Sequence, residues 1–195
     1  METSLDKVAL FQFQDIFRRQ FETDVKTEPF LALWKLVWPS IPHDFFLSPS
    51  SSTGNHHPAE NNNAGGIVIH TLKAVEIGKH LMDLYGISGL EREIVLFSLY
   101  LHDICKYGFP WGKSTSKVHG ITAADFLKAF SKVEEPALKR AFELISTHMD
   151  PWKGESFSPL IPGEDLLLQV LIQADYLASR EKISFIPPEL KGFVN

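Results

Sequence analysis

The segment Ile94-Val95-Leu96-Phe97-Ser98-Leu99-Tyr100-Leu101-His102-Asp103-Ile104-Cys105-Lys106 is apolar on nearly every side of a helical projection. A helix of that kind has no face for water and belongs inside a fold. Yet it ends in an imidazole, a carboxylate and, three residues on, a lysine. Burying such groups costs several kcal/mol unless a partner or a metal compensates them. The rest of the chain must therefore deliver compensating groups to this point.

Working outward, Ile67 to Tyr85 is amphipathic and places His70 on the face of Ala74, Ile77 and Leu81, with Leu84 on the same apolar pattern. Gly86 closes that helix, and Ser88 is the expected cap of the next, Gly89 to Lys106. Tyr107 to Lys117 is a glycine- and proline-punctuated loop carrying Trp111, Lys113 and Lys117. His119 heads a helix over Val118 to Phe130, whose Gly120, Ala123 and Ala124 allow close approach to a neighbour. Pro136 opens another, with Leu138, Ala141, Phe142, Leu144 and Ile145 inward and His148 at its end. Asp150-Pro151-Trp152-Lys153-Gly154 breaks the chain there. A last long helix, Gly163 to Arg180, sets Asp175 beside the apolar stripe of Leu167, Leu171 and Ala174.

Upstream, Leu5 to Phe21 repeats apolar residues at helical spacing (Leu5, Val8, Ala9, Phe13, Ile16, Phe17, Phe21), and Pro29 to Trp38 follows. Residues 1–38 thus read as an N-terminal helical segment packing on the domain. Residues 39–66 are rich in proline, serine and asparagine without periodicity and read as a long polar loop, with His43, His56 and His57 exposed. The main domain spans 67–182, and 183–195 is a proline-interrupted tail. Nothing alternates as a strand does, so the fold class is all-α.

Composition narrows the function. The 195 residues are 44% hydrophobic with 15 Phe, enough for one domain with an ample core. A net charge of −5 without a long basic run argues against a nucleic-acid polymer as partner and favours a small molecule. No apolar run reaches the roughly 18 residues of a membrane span, so no membrane partner is expected. The single cysteine forbids an internal disulfide and fits a cytoplasmic setting. Oligomeric state is not written in these residues.

A single inward histidine reads best as a hydrogen-bonded core residue. Here, however, His70, His102, Asp103, His119, His148 and Asp175 come from five helices or their ends, each in or beside an apolar stretch. Converging without a cation, they leave several polar groups unpaired. Imidazole and carboxylate ligands suit Fe, Mn, Ni, Co or Zn over Ca or Mg. Six protein ligands exceed the need of one tetrahedral ion and fit two ions sharing a carboxylate. Adjacent residues on a helix point about 100° apart, so His102 and Asp103 can serve different sides, with Asp103 bridging.

The ordered set Ile69-His70-Thr71, Leu101-His102-Asp103-Ile104-Cys105-Lys106, Val118-His119-Gly120, Ser146-Thr147-His148 and Gln173-Ala174-Asp175-Tyr176 resembles the HD-domain superfamily of metal-dependent phosphohydrolases, over roughly Ile67 to Arg180. The resemblance implies a helical bundle around a two-metal site. His70, His102, Asp103 and Asp175 would hold the first ion, and His119 and His148 would complete the second. It implies two divalent transition-metal ions (Fe, Mn, Ni or Co) and a bridging hydroxide that cleaves a phosphoester or phosphoanhydride of a small phosphorylated substrate, a nucleotide foremost. Asp103 and Lys106 are then the catalytic pair, Lys106 contacting phosphate. Its plainer reading is a solvated lysine at a helix C-terminus. Lys113, Lys117 and Arg180, with Lys153, form an expected basic rim for the anion, or else ordinary surface charge. Trp111 and Trp152 either stack a base or pack locally. The 39–66 loop is a lid in this reading. Relatives similar to inositol oxygenase use the same six ligands for a diiron oxygenase, which is the alternative function; a non-catalytic, metal-stabilised binding domain is the third. The chain lacks the Gly-Tyr-Pro of cyclic-di-GMP hydrolases.

Overall fold

The computed structural model describes residues 4–52, 59–131, 135–150 and 165–180. Among these the chain forms eight α-helices and two short 3-10 turns, with no strand. The all-α expectation holds.

The bundle is built on α4 (Gly66–Tyr85), α5 (Gly89–Leu101), α6 (His119–Phe130), α7 (Pro136–Thr147) and α8 (Leu166–Ala178). Helix α4 packs along α8 and α5, α5 packs against α7, and α7 against α6. Every residue of α5 from Ile94 to Leu101 is buried, as its unbroken apolar character requires. Gly120, Ala123 and Ala124 are all buried on α6. A Cβ on Gly120 would stand 2.7 Å from the Ile145 carbonyl oxygen, so the close approach there needs glycine.

Helix α5 ends at Leu101 rather than at Lys106. His102 to Lys106 run instead through tight turns, with Ile104 N–H to Leu101 O at 3.3 Å and Lys106 N–H to Asp103 O at 2.9 Å. The reason is local. His102 Nδ1 bonds the Leu99 carbonyl at 2.7 Å, and Asp103 N–H would need that oxygen in a continuing helix.

The N-terminal segment is α1 (Ser4–Asp24), α2 (Glu28–Val37) and α3 (His43–Leu47). Phe17 meets Phe45, Phe46 and Tyr100 edge-on, Phe21 stacks on Trp34 at 4.0 Å, and Phe30 stacks on Phe97 at 4.7 Å. Aromatic edges and faces at these separations favour each other beyond simple burial. Two polar ties lock the segment on. Asp24 accepts from buried Tyr100 O–H at 2.6 Å and pairs with Lys79 at 2.7 Å. Glu93 accepts the Lys26 and Thr27 N–H groups at 2.8 and 2.6 Å, satisfying donors at the start of α2. Val8 and Leu84, expected inward, are exposed.

Residues 39–66 are more than a polar loop. Within them α3 buries Phe45 and Phe46, a 3-10 turn spans Ala59–Asn62, and Ser50 and Asn61 are fully buried. Five residues are too few to show a helical period, and the two phenylalanines are recruited by packing onto Phe17. His43 is exposed as expected. His56, His57, Trp152, Lys153 and the 183–195 tail lie outside the described residues. No helix among the described residues is long and apolar enough to cross a membrane.

Candidate metal centre

Five separate elements deliver the six residues to one place. His70, in the second turn of α4, sets Nε2 2.9 Å from Asp175 Oδ1 on α8 and 3.7 Å from Asp103 Oδ2. His102, at the end of α5, has Nε2 3.5 Å from Asp103 Oδ2 and 3.6 Å from Asp175 Oδ1. His119 opens α6, its Nε2 3.0 Å from Asp103 Oδ1 and 3.2 Å from Nε2 of His148, which caps α7. The ligand atoms fall into three overlapping triads, His70–His102–Asp103, His102–His148–Asp175 and Asp103–His119–His148, each within 4.8 Å.

Three of the rings are oriented by one device. Nδ1 of His102, His119 and His148 bonds the carbonyl three residues back, at 2.7 Å to Leu99, 2.6 Å to Ser116 and 2.6 Å to Ile145. A carbonyl can only accept, so each Nδ1 carries the hydrogen, and in its neutral form each ring turns an Nε2 lone pair toward the centre. Backbone partners of this kind commonly fix the tautomer of metal-binding histidines.

The consequence is a set of acceptors facing acceptors. His119 and His148 oppose their Nε2 atoms at 3.2 Å, and the same His119 atom lies 3.0 Å from a carboxylate oxygen. His102 Nε2 is buried with no hydrogen-bond partner among the described residues. In a water-poor interior such an arrangement is unfavourable until positive charge enters it. Divalent ions of the kind that take imidazole and carboxylate ligands fit the donor set.

Electrostatics agree. Burial raises the Asp103 carboxyl, but Lys106, His102 and His119 outweigh it and hold the group well below the usual carboxylate range. His102 and His70 do the same for Asp175. His102 is pushed down by burial, yet Asp103 and Asp175 leave it raised overall. His70 is lowered, burial exceeding its bond to Asp175. Burial, then His119 and His102, push His148 down to about 3. The carboxylates are thus ionised and His148 is neutral, the states that metal binding requires.

Lys106 is buried and its ammonium bonds Asp103 Oδ2. The Asp175 and Lys106 side chains keep 12% and 8% exposure against 0–3% for His70, His102, Asp103 and His119, so the centre meets solvent along that edge. Lys113 and Lys117 are exposed in the loop beyond. Arg180 turns onto Tyr176, its guanidinium carbon 4.3 Å from the ring centre, and bonds Ser179 at 2.9 Å. Trp111 stacks on Tyr107 at 5.3 Å, the local packing rather than an open base platform. A buried lysine, Lys73, sits one turn beyond His70 on α4 and escaped the sequence reading. Its spacing of three from His70, inside a helix buried from Gly66 to Val75, was the available signal.

Residues 67–180, more than half the chain, match the family model described as HD domain. No curated protein and no solved structure matches the chain. An all-helical bundle, a buried His/Asp cluster whose geometry could hold metal ions and this match agree, and the chain belongs to the HD-domain family, a family of metal-dependent hydrolases.

Proposed function

We propose that the protein is a phosphohydrolase acting on a phosphoester or phosphoanhydride of a small substrate, a nucleotide, with two divalent transition-metal ions (Fe, Mn, Ni or Co). The observation that carries this reading is the pair of Nε2 atoms of His119 and His148 opposed at 3.2 Å beside Asp103. That geometry supports a cation there in addition to one among His70, His102, Asp103 and Asp175. Ions bound at such a centre supply Lewis acidity toward phosphoryl oxygens and an acidified water.

The chain's own residues do the rest. The three Nδ1–carbonyl bonds hold the imidazoles in register, so little reorganisation is needed as charge develops. Asp103, kept ionised, stands between the two halves of the cluster. Lys106 offers its ammonium at the solvent edge, where it neutralises phosphate oxygens. Lys113 and Lys117, exposed on the following loop, add local positive potential to a protein of net charge −5. Ile67, Leu99, Ile104 and Ala174, within three residues of the cluster along the chain, are themselves buried. A cytoplasmic setting, no membrane and no nucleic-acid polymer complete the proposal.

The test is phosphate release from nucleotides and simple phosphoesters with added Mn²⁺, Ni²⁺, Co²⁺ or Fe²⁺. Wild type is expected to release phosphate and Asp103→Asn is not. Lys106→Ala should lower kcat/KM by about tenfold or more, the effect of removing one charged stabiliser. Silence from wild type, with two irons bound and O₂ consumed, would replace hydrolysis by the oxygenase reading.

A further inference from the structure

Two apolar features of the N-terminal helices serve neither the core nor the metal centre. The first is a knob on α1. Phe11 is 69% exposed and Val8 56%, and no described element covers either. Helical geometry puts Lys7, Arg18 and Arg19, all exposed, on the same face. Asp15 shares that face but is spent on Arg18 and Arg19, at 3.8 and 2.7 Å, and Lys7 has no acidic partner among the described residues. From Lys7 to Arg19 the chain carries three cations against one carboxylate, in a protein of net charge −5. The knob is apolar with a positive surround.

The second feature is a groove between α2 and the α6–α7 pair. Pro29, Ala32, Leu33 and Leu36 follow one face of α2 and line a cavity of about 410 Å³ together with Phe130 of α6 and Leu138 of α7. Leu36 is 54% exposed there. Glu28 and Glu135 border the same cavity, and neither carboxylate has a hydrogen bond or an ion pair among the described residues. Lys128 and Lys139 line a neighbouring pocket rather than this one. The groove is apolar inside and negative at its edge.

Exposed apolar patches rimmed by polar groups mark interaction sites, and complementary charge selects what lands on them. We propose that a second copy of this chain covers the groove. Phe11 of one copy enters the cavity of another, flanked by Val8, and the cations around the knob meet Glu28 and Glu135. An aromatic anchor seated in an apolar pocket and ringed by charged groups is the usual make-up of an interface hot spot. Knob and groove lie on different helices, so each copy offers one of each. The inference is independent of the chemistry at the metal centre.

Sedimentation of the full-length, Mn²⁺-loaded protein over a range of concentrations tests it. Wild type is expected to sediment as a species heavier than one chain. Phe11→Glu places an acid opposite Glu28 and Glu135, and Leu36→Lys places a cation opposite the basic knob. Each alone should weaken association by about tenfold or more while keeping the helical spectrum. Should either variant fail to fold, Val8→Glu and Ala32→Lys, at positions also exposed, make the same test. An equimolar mixture of the knob variant and the groove variant retains one intact knob and one intact groove, and it should form a pair with one chain of each. A wild type that stays monomeric would overturn the proposal and leave the groove to a small apolar ligand or a different chain. Variants that associate as wild type does would overturn it as well, and so would a mixture that stays monomeric, since the contact would then join like surfaces.

Discussion

Gly120→Ala tests whether the α6–α7 contact sets the metal centre. The new methyl would stand 2.7 Å from Ile145 O and 2.8 Å from both Cε1 and Nδ1 of His148. It therefore lands on the bond by which the Ile145 carbonyl orients that ring, 2.6 Å long in the native protein. Overpacking of this kind costs about 1–3 kcal/mol. Alanine regains about 0.5–1 kcal/mol of helix preference over glycine. The net loss is about 0–2.5 kcal/mol, or up to about 10 °C in Tm for a chain of this size. On the proposed two-metal reading, disturbing the partner of His148 should also weaken metal affinity by about 10–100-fold. Calorimetry of the metal-free protein, followed by Mn²⁺ titration, measures both. An unchanged or raised Tm with affinity within about twofold of wild type would refute the reasoning, because the helices would then have had room to spare.

Three further predictions concern the fold that carries the site. Tyr100→Phe should lose about 1–2 kcal/mol in urea unfolding, since Asp24 keeps Lys79, while Asp24→Ala should lose more by leaving the buried Tyr100 hydroxyl without its acceptor. Glu93→Ala strips two N–H groups before α2 of their carboxylate and should lower stability by about 1–2 kcal/mol on the same assay. The metal-free protein should lose stability as pH falls from about 6.5 toward 3. His148 stays neutral in the fold down to about 3, while the unfolded chain takes up the proton near 6.5, so acid favours unfolding throughout that window. Asp103 and Asp175, both depressed in the fold, add a second loss as pH drops below their unfolded value of about 3.9. His148→Gln should shrink the loss in the upper window, to which the lowered His70 also contributes, and leave the lower one, as followed by Tm against pH.

The bundle was legible because its helices carry long, regular apolar patterns. The face of α7, from Leu138 to Ile145, is buried as its spacing dictates, and Gly86 closes α4 in the left-handed region. The six polar groups stood out for the same reason: each interrupts an apolar stretch whose burial the pattern requires. What the pattern does not contain is competition between side chain and backbone. The Leu99 carbonyl, taken by His102 Nδ1, ends α5 early, and no residue between His102 and Lys106 is a helix breaker. Nor does it contain recruitment by distant partners. Phe45 and Phe46 sit in a stretch dominated by proline, serine and asparagine and are drawn in by Phe17, nearly thirty residues earlier. Asn61 lies in a polar tract that reads as solvated, and only the close approach of its carbonyl to Gly66 reveals its burial. The reverse error has the same root: Val8 and Leu84 keep helical spacing with the core but find no element among the described residues to cover them.

The central claim is that the six residues form a metal centre, and elemental analysis tests it most directly. Purified chain loaded with Mn²⁺, Fe²⁺, Co²⁺ or Ni²⁺ and freed of excess ion should retain two per molecule, with a Tm above that of the chelated protein. Asp103→Ala, which removes the carboxylate lying within reach of His70, His102 and His119, should retain none while keeping its helical spectrum. Wild type that binds no metal, and whose Tm is indifferent to all four ions, would contradict the account.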